Sequence, residues 1–272
     1  MSSPFKVVIP ARYGASRLPG KPLLECAGRP LIAWVWERAR DSGAEEVVVA
    51  TDDQRIANAC RKLGADVAMT HERHRSGTDR ISEVIEQRRW DNDTLIVNLQ
   101  GDEPCMPARL IGQVAADLAT CADAGAGTGM ATLAYPIADA DTLFDPHTVK
   151  VVTDAQGFAL YFSRAPVPWH RDGFLGKRAT LHPGVPFLRH IGLYAYRAGF
   201  LRRYVTWEPA PLEIAESLEQ LRALWHGERI HVGIAAEEPG PGIDTLDDLR
   251  AVAQRLQAEA SGGLAGDGAP PA

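Results

Sequence analysis

No apolar run in this 272-residue chain approaches the ~20 residues that a membrane-spanning helix needs. The first apolar run, residues 5–9, is short and ends at Pro10, which is not the layout of a secretory signal. These absences predict a cytoplasmic protein with no membrane contact. Cysteine is sparse as well. Cys26, Cys60, Cys105 and Cys121 are scattered and form no C-x-x-C pair, so they read as reduced structural thiols rather than disulfides or zinc ligands. His71 and His74 stand three apart with no second ligand pair nearby in sequence, which leaves a zinc site there unsupported. An excess of basic charge is also missing. The formal net charge of −6 argues against a general nucleic-acid binder, so local basic clusters point to a small anionic ligand. There is no internal repeat and no linker that divides the chain.

What is present suits an ordinary soluble fold: 45% apolar and 24% charged residues, in a chain long enough for one large α/β domain. The first half alternates strand and helix. Strands are expected at residues 6–9, 46–50, 66–69 and 94–99, and helices at 30–41, 53–63, 78–89 and 107–119. This rhythm predicts a mainly parallel sheet flanked by helices on both faces. The second half, about 130–235, is less regular. Strands are expected at 130–137, 149–154, 159–163, 190–196 and 229–235, with one helix over 212–224 and a last one over 247–259. Residues 172–186 are rich in Gly and Pro and read as a long loop. The tail, 261–272, is Gly, Ala and Pro and is expected to be disordered beyond a single domain of residues 1–260.

The first strand delivers Pro10-Ala11-Arg12-Tyr13-Gly14-Ala15-Ser16-Arg17-Leu18-Pro19-Gly20-Lys21-Pro22. This loop holds two arginines and one lysine, but no acid. Such a loop at a strand's carboxyl end is built for an anion: small residues let backbone N–H groups approach phosphate oxygens, and the cations neutralise them. The strand at 94–99 delivers Gln100-Gly101-Asp102-Glu103-Pro104. A carboxylate presented there, facing a phosphate loop, suits Mg²⁺ held against a nucleotide. A turn aspartate bonded to its own backbone is the plainer alternative. Asp244 is the best second carboxylate, because Thr245 and Asp248 form a T-x-x-D capping box that leaves Asp244 free to point elsewhere. Arg75-Ser76-Gly77-Thr78-Asp79-Arg80 reads as a loop entering a helix with Thr78 as cap. His190 and Tyr194, four apart in a strand, share a face. Arg164 follows a strand. Glu219 and Gln220 lie on an amphipathic helix, which a solvated face explains equally well.

Together these residues resemble the 3-deoxy-D-manno-octulosonate cytidylyltransferases, or CMP-KDO synthetases. The resemblance rests on six motifs in order: the opening loop from Ala11 to Leu23, Ser76-Gly77-Thr78-Asp79-Arg80, Val97 to Pro104, Phe187 to Tyr194, Leu218-Glu219-Gln220-Leu221-Arg222, and Pro239-Gly240-x-Gly242-Ile243-Asp244-Thr245. It runs from about residue 5 to residue 255, departing around Glu213-Ile214-Ala215-Glu216 and after Gln257. The resemblance implies a nucleotide-diphosphosugar transferase-like (Rossmann-like) fold and a homodimer. The implied reaction joins CTP to KDO for lipopolysaccharide biosynthesis. It assigns Arg12, Arg17 and Lys21 to the triphosphate, with Pro10, Ala11 and Asp102 also at the nucleotide. Ser76, Gly77 and Arg80 fall to cytosine and ribose. Asp102 and Asp244 are assigned to Mg²⁺, and Gln100, Arg164, His190, Tyr194, Glu219 and Gln220 to the sugar. Lys21, Arg12, Asp102 and Asp244 are the implied catalytic set. Rival readings are a related sugar acid, such as 8-amino-KDO or sialic acid, and a nucleotide-binding protein without catalysis.

Overall fold

The computed structural model describes residues 3–14, 18–74, 76–123, 127–174 and 180–262. β1 (Phe5–Ala11) comes first, and a short hairpin of β2 (Glu25–Cys26) and β3 (Arg29–Pro30) leads into α1 (Leu31–Arg40). Three strand–helix units follow: β4 (Glu46–Thr51) with α2 (Gln54–Lys62), β5 (Asp66–Met69) with α3 (Gly77–Arg88), and β6 (Leu95–Asn98) with α4 (Ala108–Asp123). The second half begins with β7 (Met130–Pro136), α5 (Ala140–Phe144), β8 (Lys150–Thr153), β9 (Ala159–Ser163) and β10 (Leu188–Arg197). It closes with α6 (Ala198–Tyr204), α7 (Pro211–Glu216), α8 (Gln220–Trp225), β11 (Ile230–Ile234) and α9 (Leu246–Gly262).

Nine strands form one sheet, ordered β11-β7-β10-β6-β1-β4-β5, with β8 paired to β10 and β9 to β8. β6, β1, β4 and β5 are mutually parallel, as are β7 and β11. β10 is antiparallel to both β6 and β7, so six of the seven strands in the main order point one way. β1 shows why its sequence is continuously apolar: Val7 and Ile9 enter the core beneath α1, α2 and α4, while Val8 enters the core beneath α3 and α6. Each such side chain, fully buried, stabilises the fold by about 1.5–3 kcal/mol. A third, smaller cluster joins Val252 and Leu256 of α9 to Cys26, Leu31 and Cys105, which docks the last helix beside the hairpin.

The expected alternation of the first half is present, with ends displaced by a residue or two, except that α4 runs four residues further, to Asp123. Two differences have physical causes. Ser76, not Thr78, caps α3: its side chain accepts the Asp79 N–H, and Asp79 returns a bond to the Ser76 N–H. The single helix expected over 212–224 is two, because Ser217 adopts φ 52°, a left-handed conformation that ends α7. The short helices α5 and α6 were not anticipated. The T-x-x-D box at Thr245 and Asp248 is formed. α9 extends to Gly262, so the expected tail overlaps it by two residues and otherwise lies outside the described residues. The described part of residues 172–186 contains no helix or strand.

Candidate active site

The carboxyl ends of β1, β4 and β6 meet along one edge of the sheet, where open α/β sheets place their ligands. A cavity of about 410 Å³ lies there. Its floor is the end of β1, and its sides are the start of α3, the loop after β6, the middle of β10, the start of α8 and the loop before α9.

One end of the cavity is charged. Gly20, at φ +70°, donates its N–H to Tyr13 O at 2.8 Å and closes the basic loop, and a single 3-10 turn, Lys21–Leu23, follows. The Lys21 side chain is thereby carried inward. Its Nζ lies 2.7 Å from Asp102 Oδ2 and 3.6 Å from Asp244 Oδ1. Asp102 reaches this point because Gly101 passes close to β1, where a Cβ would stand only 3.0 Å from Pro10 O. Asp244 reaches it by a backbone tie: the Ile243 N–H donates to Asp102 O at 3.0 Å. Arg12 lines the same end. Next to it, burial and the negative charge of Asp102 push the Glu103 carboxyl up to about 8. Two carboxylates thus converge on one cation. No cluster of three His, Cys, Asp or Glu able to hold a metal occurs among the described residues. One or two carboxylates are what Mg²⁺ takes from a protein when substrate phosphates and water supply the rest. Asp102 and Asp244 therefore fit that ion.

The opposite side is aromatic. Tyr194 and Tyr196 of β10 stack 5.8 Å apart, and Tyr204 closes the row from α6. Burial raises all three phenols, so they stay protonated. Thr78 Oγ1 donates to Glu219 Oε2 at 3.2 Å, and the Tyr204 hydroxyl donates to Glu219 O at 2.8 Å. Burial pushes the Glu219 carboxyl up. Gln220 is 4% exposed, and its Nε2 has no hydrogen-bond partner among the described residues, a buried donor left for a ligand. Between the two ends, Arg80 is buried and held by Asp52 Oδ2 at 2.8 Å and by Thr70 Oγ1.

The cavity gathers Pro10, Ala11, Arg12, Lys21, Ser76, Gly77, Arg80, Gln100, Asp102, Tyr194, Glu219, Gln220 and Asp244 from across the chain. Arg17 lies outside the described residues. Two residues expected at the sugar do not line the cavity. Arg164 is turned to backbone carbonyls instead, its Nε donating to Glu216 O at 2.7 Å and its Nη1 to Pro146 O at 3.1 Å. His190 packs behind Tyr194, with its Nε2 3.0 Å from Thr132 Oγ1, and burial pushes its ring down to about 3. His74, Thr78, Asn98, Tyr196 and Tyr204 line the cavity without having been singled out for it. Tyr196 could have been found, since it follows Tyr194 at the strand period of two. Thr78 sits within the Ser76–Arg80 motif, where its sequence position alone suggests a helix cap.

The protein-family model for cytidylyltransferases matches residues 6–230. A 3-deoxy-manno-octulosonate cytidylyltransferase of Pseudomonas fluorescens is 58% identical over 258 residues, covering 95% of this chain and 100% of the relative. The chain belongs to the 3-deoxy-manno-octulosonate cytidylyltransferase family. A second cytidylyltransferase of that name, from Alkalilimnicola ehrlichii, is 57% identical over 95% of this chain and 98% of its own length. Among solved structures, that of a CMP:2-keto-3-deoxy-manno-octonic acid synthetase complexed with CTP is 41% identical. It superposes with a TM-score of 0.83 over 94% of this chain and 100% of the other. The cytidylyltransferase fold, a mainly parallel sheet flanked by helices, is the one expected from the sequence.

Proposed function

We propose that the chain transfers CMP from CTP to 3-deoxy-D-manno-octulosonate, giving CMP-KDO and pyrophosphate. In the cell this would activate the sugar acid in the cytoplasm for lipopolysaccharide biosynthesis. The observation that carries the reading is the convergence of Lys21, Asp102 and Asp244 at one end of a cavity whose other end is buried, aromatic and hydrogen-bonding. The neighbouring structure with CTP and the named relatives support the nucleotide and the sugar acid. Both carboxylates are present, which a protein that only binds nucleotide does not need. The two halves act as one domain, and the less regular half supplies the sugar end. Leu160, Ile214 and Trp225, exposed on β9, α7 and α8, support a homodimer.

In the proposed reaction the anomeric hydroxyl oxygen bonds to the α-phosphorus as the bond to the β-phosphate bridging oxygen breaks. Pyrophosphate leaves, and the hydroxyl proton passes to solvent. The difficulty is electrostatic, since an anionic sugar acid must approach a polyanionic nucleotide. Lys21, Arg12 and Arg17 offset that charge and stabilise its spread at phosphorus. Mg²⁺, when bound by Asp102 and Asp244, would neutralise phosphate charge and acidify a hydroxyl in its coordination sphere. Ser76, Gly77 and Arg80 hold the nucleoside half. Gln100, Tyr194, Glu219 and Gln220 orient the sugar acid and exclude water.

The experiment is pyrophosphate release with Mg²⁺, each of the four nucleoside triphosphates and a panel of sugar acids. Release is expected with CTP plus KDO. None from folded protein would overturn the reading, and preference for 8-amino-KDO or sialic acid would move the substrate.

A further inference from the structure

His74 and Glu83 form a pair that neither the charged end nor the aromatic side uses. His74 lines the cavity beside Ser76, Gly77 and Arg80. Its Nε2 lies 2.5 Å from Glu83 Oε2, on α3. Glu83 is surrounded by donors: Oε2 also accepts the His71 N–H at 2.8 Å, and Oε1 accepts Gln87 Nε2 at 2.8 Å. Burial pushes the Glu83 carboxyl up, but these bonds outweigh it and hold the group below its ordinary range. An ionised carboxylate can only accept, so the proton between the pair sits on His74 Nε2. In the neutral ring Nδ1 then carries a lone pair. Nδ1 makes no hydrogen bond among the described residues.

Cytosine and uracil differ at position 4, where an amine donor replaces a carbonyl acceptor. Selecting cytosine therefore requires an acceptor facing that position. Beside the Ser76–Arg80 segment, His74 Nδ1 is an acceptor that makes no bond among the described residues. Arg80 has only donors. Ser76 Oγ accepts the Asp79 N–H at 3.1 Å, and Thr78 Oγ1 donates to Glu219. We propose that His74 Nδ1 accepts a hydrogen bond from the 4-amino group of the cytosine, and that Glu83 is the positioning residue that keeps His74 in the accepting tautomer. This rests on the cytidylyl-transfer reading above and deepens it by naming the base-selecting residue.

His74→Phe keeps the ring's shape and removes both nitrogens. His74 lies at the cavity edge with 21% of its side chain exposed, so the variant should fold. Calorimetry without sugar acid would compare CTP, UTP and the cytidine triphosphate analogue lacking the 4-amino group. Pyrophosphate release with KDO would give kcat/KM for CTP and UTP. The CTP-to-UTP ratio is expected to fall about tenfold through loss of CTP alone, with UTP and the analogue changing less than about twofold. Glu83→Gln, whose amide can donate as well as accept, frees the tautomer. It should lower the same ratio about threefold while leaving KM for the sugar acid unchanged. A ratio constant within about twofold in both variants overturns the proposal, as does an equal loss for CTP, UTP and the analogue, which marks a structural role. Absence of turnover in the unmodified enzyme would overturn the transfer reading instead, and the binding ratio would still decide the role of His74.

Discussion

The two ends of the cavity are built on opposite principles. At the charged end, three side chains from three loops meet in water's reach: Asp102 and Asp244 are 37% and 54% exposed, and only Lys21 is largely covered. Their ion pairs are individually weak in that setting. At the aromatic end, polar groups are buried and several are already bonded, as in Thr78–Glu219 and Tyr204–Glu219. The first arrangement can exchange partners at little cost, which suits a place where charge moves. The second resists change, which suits a place that must recognise one shape.

Substitutions can break that contrast. The largest effect is expected from Lys21→Ala, which leaves two carboxylates without their shared cation. Turnover should fall by about 2.7–4 kcal/mol in activation free energy while CTP binding weakens far less, and a loss under about threefold would remove Lys21 from the chemistry. Asp244→Asn should raise the Mg²⁺ concentration for half-maximal rate by about 10–100-fold, read from a metal titration of the initial rate. An unchanged titration would leave Asp102 as the sole protein ligand. Gln220→Ala tests the other end. KM for the sugar acid should rise about fivefold to tenfold, with KM for CTP steady. Loss of CTP affinity instead would place Gln220 on the nucleotide.

The last effect concerns stability and is confined to acid pH. His190 is held neutral, its folded value pushed down to about 3 by burial. Between about 6.5 and about 3 the unfolded chain binds a proton that the folded chain does not, so this contribution is present above that window and is lost as pH falls through it. His190→Gln should therefore flatten the acid limb of the melting-temperature profile. An equally steep limb would assign the acid sensitivity to other groups.

The charged end was the more legible in sequence because each of its parts is local. A basic loop after a strand, a Gly-Asp at a strand tip and a T-x-x-D box each announce themselves within a few residues. The aromatic end depends on contacts across the sheet. That Tyr204 meets Glu219 follows from α6 packing beside a reversed strand, and that Arg164 is taken up by Glu216 O and Pro146 O follows from where α7 ends. The break at Ser217 is likewise invisible to helical periodicity, since a residue of ordinary propensity is left-handed there. Arg164 lies in none of the six motifs, and its position just after a strand carries no record of which carbonyls lie nearby.

The bond from the Ile243 N–H to Asp102 O ties the segment that leads into α9 to the loop after β6, at the charged end of the cavity. Docking of that helix and affinity for ligand are therefore linked quantities. Any ligand that engages Asp244 should protect α9 from hydrogen exchange and proteolysis, by about 2.7 kcal/mol at a hundredfold excess over its dissociation constant. Conversely, a local opening that lifts only the C-terminal helix would empty the site while the nine-stranded sheet kept every hydrogen bond. Such an opening would cost the enzyme its substrate before it cost the sheet.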